Sequence, residues 1–302
     1  MQGLHFLKRY VLLCALAFLA EACATAPPVP APPKAASKSG SPETLVPYWQ
    51  DFEPGIAYFA GTIQRPSLKL KALRIDLTDP SIGFIASGRE PVDGVLREGV
   101  IPSVKITSFV KRYHCIAGIN ANPFSPVSGR EGEARKIDGI TVSQGTVVAG
   151  PHSWYDALVF YRDGRAAIVS QRELETLEDI ENAVGGFHLV LRDGAVADRL
   201  LNQQKPPRHP RSAAGLSADG KTLYLLVIDG RQIGSVGATE AEIAAILQRL
   251  GAADGLNFDG GGSTALALRY PDGKVRAVNT PIHNGIPNQE RGVASCLGVI
   301  RR

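Results

Sequence analysis

The sequence predicts an α+β or mixed α/β domain, with a central mixed sheet and a parallel strand-helix-strand unit near the C-terminus. Three observations carry this expectation. Residues 223–228 (LYLLVI) form an unbroken apolar run, the mark of a strand buried on both faces. Thr239 and Glu242 make a T-x-x-E capping box. Behind it Ile243, Ile246, Leu247 and Leu250 recur at i, i+3, i+4 and i+7, and Gly251 supplies the stop. Residues 255–258 (GLNF) then read as a short second strand. That order implies a right-handed parallel crossover, with the two strands neighbours or nearly so in one sheet.

The other elements are simpler. Residues 68–77 (LKLKALRIDL) alternate apolar and polar before Asp79-Pro80, so they read as a strand with a stop. Residues 103–113 carry a weak helical pattern and run into a short apolar strand at 114–119. Hairpins are expected around Asp163-Gly164, Asp193-Gly194 and Asp219-Gly220. No internal repeat and no second linker interrupts residues 48–302, which read as one domain.

The 302 residues are 44% hydrophobic and 21% charged, ordinary for a globular chain, so disorder throughout is excluded. The net charge of +4 comes without a clustered basic stripe, so nucleic acid is not an expected partner. Lys8 and Arg9 precede a ten-residue apolar run at 11–20, too short to span a bilayer and typical of a signal peptide. It ends in Ala22-Cys23, a lipobox-like end that predicts lipidation of Cys23; cleavage at a nearby small residue is the alternative. Residues 24–47 hold seven prolines among Ala, Ser and Lys and read as an extended linker. The chain is therefore expected to be exported to a bacterial cell envelope or periplasm, with the membrane as a partner through the anchor. Of the four cysteines, Cys115 and Cys296 would remain in the domain, as a disulfide or as two buried thiols.

The parallel unit points to a site. Its strands end in Asp229-Gly230-Arg231 and in Asp259-Gly260-Gly261-Gly262-Ser263-Thr264. Strands of one direction place their ends at one sheet edge, where open α/β sheets bind ligands. Nine of the fifteen aspartates precede glycine, so Asp-Gly alone signals only a turn. What distinguishes 229 and 259 is their place after buried strands. No P-loop, HExxH or EF-hand motif is present.

At these residues the chain resembles the phosphodiester glycosidase family. Ile119-Asn120-Ala121-Asn122-Pro123-Phe124 is similar to a family Ile-Asn-Gly-Gly-Phe-Phe stretch, with a departure at 121–123. Gly185-Gly186, His209-Pro210-Arg211-Ser212, Asp229-Gly230-Arg231, the 239–250 helix, residues 256–264, Asn279 and Glu290-Arg291 follow in family order. The resemblance implies an exported hydrolase that cleaves a glycosidic bond to phosphate in a sugar-1-phosphodiester or related surface glycan. A phosphodiester oxygen leaves as a stable anion, so the protein must chiefly hold phosphate and support an oxocarbenium-like centre. Arginine suits the first task and a carboxylate the second. The catalytic candidates are thus Asp229, Asp259 and Glu290. The substrate-binding candidates are Asn120, His209, Arg211, Arg231, Gly260, Gly261, Ser263, Thr264 and Arg291. No cofactor is required by the sequence; a divalent cation between Asp229 and Asp259 is left open. The alternatives are a non-catalytic lipoprotein that binds polysaccharide or phosphorylated glycan, and a glycosidase acting on glycans without phosphate.

Overall fold

The computed structural model describes residues 37–39, 41–127 and 130–302. The signal segment, Cys23 and most of the expected linker lie outside these residues. Apolar packing begins ahead of Tyr48: Leu45 is buried beside Phe59 and the Glu240–Leu250 helix.

The fold class expected from the sequence is wrong. Among the described residues strands make up 43% and helices 12%, and the sheets are built almost throughout from antiparallel pairs. The largest sheet runs, in order, through Ser37–Ser39, Ile56–Ile63, Leu68–Asp76, Thr222–Ile228, Arg211–Leu216, Asp254–Asn257, Leu189–Arg192 and Ala195–Val196, with Gln50–Glu53 paired to Ile56–Ile63. A second sheet holds Thr146–Ala149, Thr141–Ser143, Ile180–Gly185, Asp156–Tyr161 and Ala166–Ser170. A third holds Val275–Ala277, Leu266–Arg269, Ala117–Asn120, Cys296–Arg301 and Ile82–Ala86.

The error has a specific cause. Thr222–Ile228 and Asp254–Asn257 flank the helix as expected, but they are not paired with each other. Arg211–Leu216 lies between them and is antiparallel to both, with Ala213 opposite Leu226 on one side and Asn257 on the other. The expected parallel unit is therefore an antiparallel sheet with a helix laid over it. An apolar strand run reports burial on two faces, and it is silent on the direction of the neighbours.

Burial on two faces does hold. Leu223, Leu225 and Val227 point into a core shared with the other two large sheets. Tyr224, Leu226 and Ile228 point the other way, onto Ile243, Ile246 and Leu247 of the Glu240–Leu250 helix. That helix has the expected capping box: Glu242 N donates to Thr239 Oγ1 at 3.2 Å, and Thr239 N donates to Glu242 Oε2 at 3.0 Å. Gly251 closes it with φ +112°. The three expected hairpins form, pairing Asp156–Tyr161 with Ala166–Ser170, Leu189–Arg192 with Ala195–Val196, and Arg211–Leu216 with Thr222–Ile228. A short helix, Ile106–Arg112, covers the outer face of the third sheet. Cys115 and Cys296 are free and buried, so the disulfide alternative falls.

Candidate active site

Because two strands run antiparallel to Arg211–Leu216, its beginning and their ends meet at one edge of the largest sheet. His209-Pro210, Asp229-Gly230 and Asp259-Gly260 therefore converge there, and Pro210 is the wedge between the two Asp-Gly turns. A Cβ on Gly230 would lie 2.6 Å from Pro210 N, and one on Gly260 would lie 2.7 Å from Pro210 O. Glycine is required at both positions because backbone meets backbone. Gly261 N also donates to Pro210 O at 2.9 Å.

Beyond this wedge the glycine triplet turns through the short helix Gly261–Ser263. Two guanidinium groups lie over it. A Cβ on Gly261 would be 3.0 Å from Arg231 Nη2, and one on Gly262 would be 2.5 Å from Arg291 Nη2. Arg231 is exposed and takes the left-handed region at φ 58°, which turns its side chain back over the loop. Arg291 is half-buried. Its Nη1 donates to Ser263 Oγ at 3.2 Å and its Nε to His283 Nδ1 at 3.2 Å. This bond makes His283 Nδ1 an acceptor and leaves the imidazole proton on Nε2. Burial first, and then Arg291, holds the His283 pKa below its ordinary value.

Asp259 is the carboxylate at this arginine pair. It keeps part of its surface open. Protein nevertheless packs around it closely enough for burial to push its pKa up to about 6, against the pull of Ser263, Arg291 and the Gly260 amide. Gly260 N donates to its Oδ1 at 2.9 Å. Asn120 fixes the backbone behind it. Its Nδ2 donates to Asp259 O at 2.6 Å, while its Oδ1 accepts from Ser212 Oγ at 2.6 Å and Ala265 N at 3.2 Å. Asn120 is therefore a frame residue with both its amide oxygen and its amide nitrogen engaged. Thr264 differs: its Oγ1 is buried without a hydrogen-bond partner, a hydroxyl left unspent beside the site.

The other two acids are placed differently. Asp229 is 2% exposed, sealed beneath the loop that follows Val278. Its Oδ1 accepts from Thr280 N at 2.8 Å and Asn279 Nδ2 at 3.3 Å, and Asn279 Nδ2 also donates to Thr264 O at 3.1 Å. Burial raises its pKa, opposed by the Thr280 amide and then by Lys71. Through Oδ1, Asp229 thus ties the 259–264 turn to the 279–280 loop. Glu290 is held away from the glycine triplet, accepting from Thr107 Oγ1 at 2.6 Å and Thr107 N at 3.0 Å in the first turn of Ile106–Arg112. In this arrangement both of its carboxylate oxygens serve the N-terminal turn of that helix. Arg211 is likewise structural. It is 8% exposed, its Nε donates to Ala238 O at 3.0 Å, its Nη2 donates to Pro207 O at 3.3 Å, and its Nη1 lies 3.8 Å from Glu240.

His209 is half-exposed, with its pKa lowered by burial and then by Arg211 and Arg231. Its backbone is latched to Ala238 in both directions, at 3.2 and 2.9 Å. Among the described residues there is no group of three or more His, Cys, Asp or Glu placed to hold a metal ion. Sequence reasoning missed His283 and Lys71. An isolated histidine in a turn carries no pattern, and Lys71 sits on a strand whose alternation points it out of the core.

The site so assembled is one accessible carboxylate of raised pKa beside a glycine turn roofed by two arginines, on an antiparallel β fold. Such a site suits hydrolysis of a phosphate-bearing ester or acetal. Residues 113–300 match the phosphodiester glycosidase family, and the chain belongs to it. A curated relative is the SPbeta prophage-derived uncharacterized protein YomE of Bacillus subtilis (strain 168), 27% identical over 264 residues, 80% of this chain and 38% of that protein. The chain thus spans well under two thirds of that relative. Among solved structures it resembles the zebrafish N-acetylglucosamine-1-phosphodiester alpha-N-acetylglucosaminidase catalytic domain, auto-inhibited by its pro-peptide. The TM-score is 0.61 and the identity 18%, over 86% of this chain and 89% of that one. It also resembles a hypothetical protein from Synechocystis, with TM-score 0.60, 15% identity, and 85% and 64% coverage. At these identities the structures show a shared fold.

Proposed function

We propose that the protein hydrolyses the bond between an anomeric carbon and a phosphodiester oxygen. One observation carries this reading: the Arg231 and Arg291 guanidinium groups lie over Gly261 and Gly262, next to Asp259. Arg291 is already spent on Ser263 and His283 through Nη1 and Nε, which leaves its Nη2 edge over the glycines for a phosphate oxygen. The phosphodiester departs as an anion, so one carboxylate suffices where an ordinary glycosidase needs an acid and a base. With a pKa near 6, Asp259 is mostly ionised at neutral pH and acts as nucleophile or as base toward water. The same reading has the chain exported to a bacterial envelope and tethered through a lipid on Cys23.

The test is hydrolysis of a synthetic sugar-1-phosphodiester beside the same sugar carried on a neutral aglycone. Selective release from the phosphodiester, lost in Asp259→Asn and weakened at least tenfold in Arg231→Ala, supports the reading. Equal turnover of both substrates would instead favour a glycosidase indifferent to phosphate. Saturable binding without turnover would favour a glycan-binding lipoprotein.

A further inference from the structure

Three segments border the site: residues 63–69, 230–239 and 280–289. They are stitched to one another. Ser67 Oγ donates to Gly234 O at 3.1 Å, Lys69 N donates to Ser235 Oγ at 2.9 Å, and Val236 N donates to Ser67 O at 3.0 Å. Gln232 Nε2 donates to Thr280 O at 3.1 Å, joining the third segment. Two of them end in tight hairpin tips. Gln232 and Ser235 exchange backbone hydrogen bonds at 3.1 Å around Ile233-Gly234. Asn284 and Gly285 make the other turn, with φ of 53° and 77°, ahead of Ile286.

What these tips carry is unusual. Ile233 is 104% exposed, Ile286 55% and Val236 42%. Around them Arg65, Lys69 and Arg231 are exposed cations. Within all three segments there is no Asp or Glu. Ile233, at the summit of its two-residue turn, has no neighbour in its own chain to cover it, and Ile286 stands one residue past the other turn, paired with His283; turns ordinarily carry polar residues at such places. The flanking acids Asp229, Glu240 and Glu290 are engaged with Thr280, Arg199 and Thr107, and single apolar points set among exposed cations match a surface that is apolar beneath and anionic on top. A protein partner would be met by a continuous patch rather than by separate tips.

We infer that the rim of the site docks on an anionic lipid bilayer. Ile233 and Ile286 enter the boundary between headgroups and acyl chains, and Arg65 and Lys69 lie at headgroup depth. In this pose the mouth of the site faces the membrane. Where the proposed hydrolysis holds, the substrate class becomes glycosyl phosphodiesters borne by lipid. That last step rests on the functional reading; the docking does not.

The test uses the full chain and vesicles of phosphatidylcholine containing about one third phosphatidylglycerol. Because residues 11–20 are also apolar, the readout is local. Ile233→Trp and Ile286→Trp are each compared with the unsubstituted chain, whose Trp49 and Trp154 give the background. Quenching of the introduced indole by shallow-brominated lipids is the expected result. Arg65→Glu combined with Lys69→Glu should weaken the vesicle affinity read from that quenching by at least about thirtyfold, since each of the two reversed cations contributes about 1 kcal/mol near an anionic surface. The proposal is overturned by absence of extra quenching in both tryptophan variants, or by quenching unchanged when phosphatidylglycerol is removed. It is equally overturned by self-association of the unsubstituted chain that Ile233→Ser abolishes, which would make the rim a face between copies. Quenching with no turnover of a soluble sugar phosphodiester would sink the hydrolase reading alone. Turnover without quenching would sink the docking alone.

Discussion

Replacing Asp259 by Asn should abolish turnover and stabilise the protein, with the stabilisation present only at neutral and higher pH. Folding raises this carboxyl from 3.8 to about 6, with burial as the main cause. Above pH 6 the side chain is ionised in both folded and unfolded chains, and the folded state carries the whole cost of burying the charge. Below about 3.8 it is protonated in both, and the cost vanishes. A difference of about 2 pKa units corresponds to ~3 kcal/mol. The carboxyl keeps some open surface, so an effect of about 1–3 kcal/mol is the working expectation. Asparagine keeps the oxygen that accepts from Gly260 N and removes the charge. For a domain of this size each kcal/mol moves Tm by roughly 2–4 °C. Thermal melts followed by circular dichroism at pH 8 should therefore show a gain of roughly 2–12 °C, and melts at pH 4 little or no gain. A variant less stable than the parent at pH 8, or shifted equally at both pH values, refutes the account of Asp259 as a strained, functional carboxylate.

Other consequences follow from named contacts. The pH profile of kcat/KM should rise through about pH 6 as Asp259 ionises, and Arg291→Ala, by removing a nearby cation, should move that limb upward by about one unit. Glu290→Ala should cost roughly 1–2 kcal/mol in urea unfolding by freeing the first turn of Ile106–Arg112, while kcat stays within about threefold. Gly230→Ala should lower stability by about 1–3 kcal/mol and disable the site, since its Cβ would lie 2.6 Å from Pro210 N; intact activity would show that the wedge is soft. A thiol reagent should leave Cys115 unmodified in the folded protein, because burial pushes that thiol up to about 12, and should label it once urea unfolds the chain.

Local features of this fold were legible in the sequence wherever one short segment contained the cause. The capping box at Thr239 and Glu242 holds both partners within four residues, and each hairpin carries its own Asp-Gly turn. The sheet's wiring was not legible, because nothing within residues 222–257 reports that Arg211–Leu216 inserts between the two strands. The site divides in the same way. Asp259, Gly261, Ser263 and Arg291 were found through motif and order, and they do meet. Asp229, Glu290 and Arg211 share the same motifs but are spent on Thr280, Thr107 and Ala238, partners 51, 183 and 27 residues away in the chain. A motif names a residue type suited to a task, and only distant partners decide whether the side chain is free for it.

Asn122 has a consequence for how the chain reaches this fold. Its one side chain donates to Asp138 O and Ile140 O and accepts from Gly185 N and Ser295 Oγ. Those partners come from across 173 residues of sequence. None of the bonds can close until widely separated stretches have already been brought together, and that ordering must be paid in chain entropy before the amide returns anything. The molecule should accordingly fold slowly for its size, with Asn122 locking late, and an Asn122→Ala chain should unfold faster while refolding at nearly the parent rate.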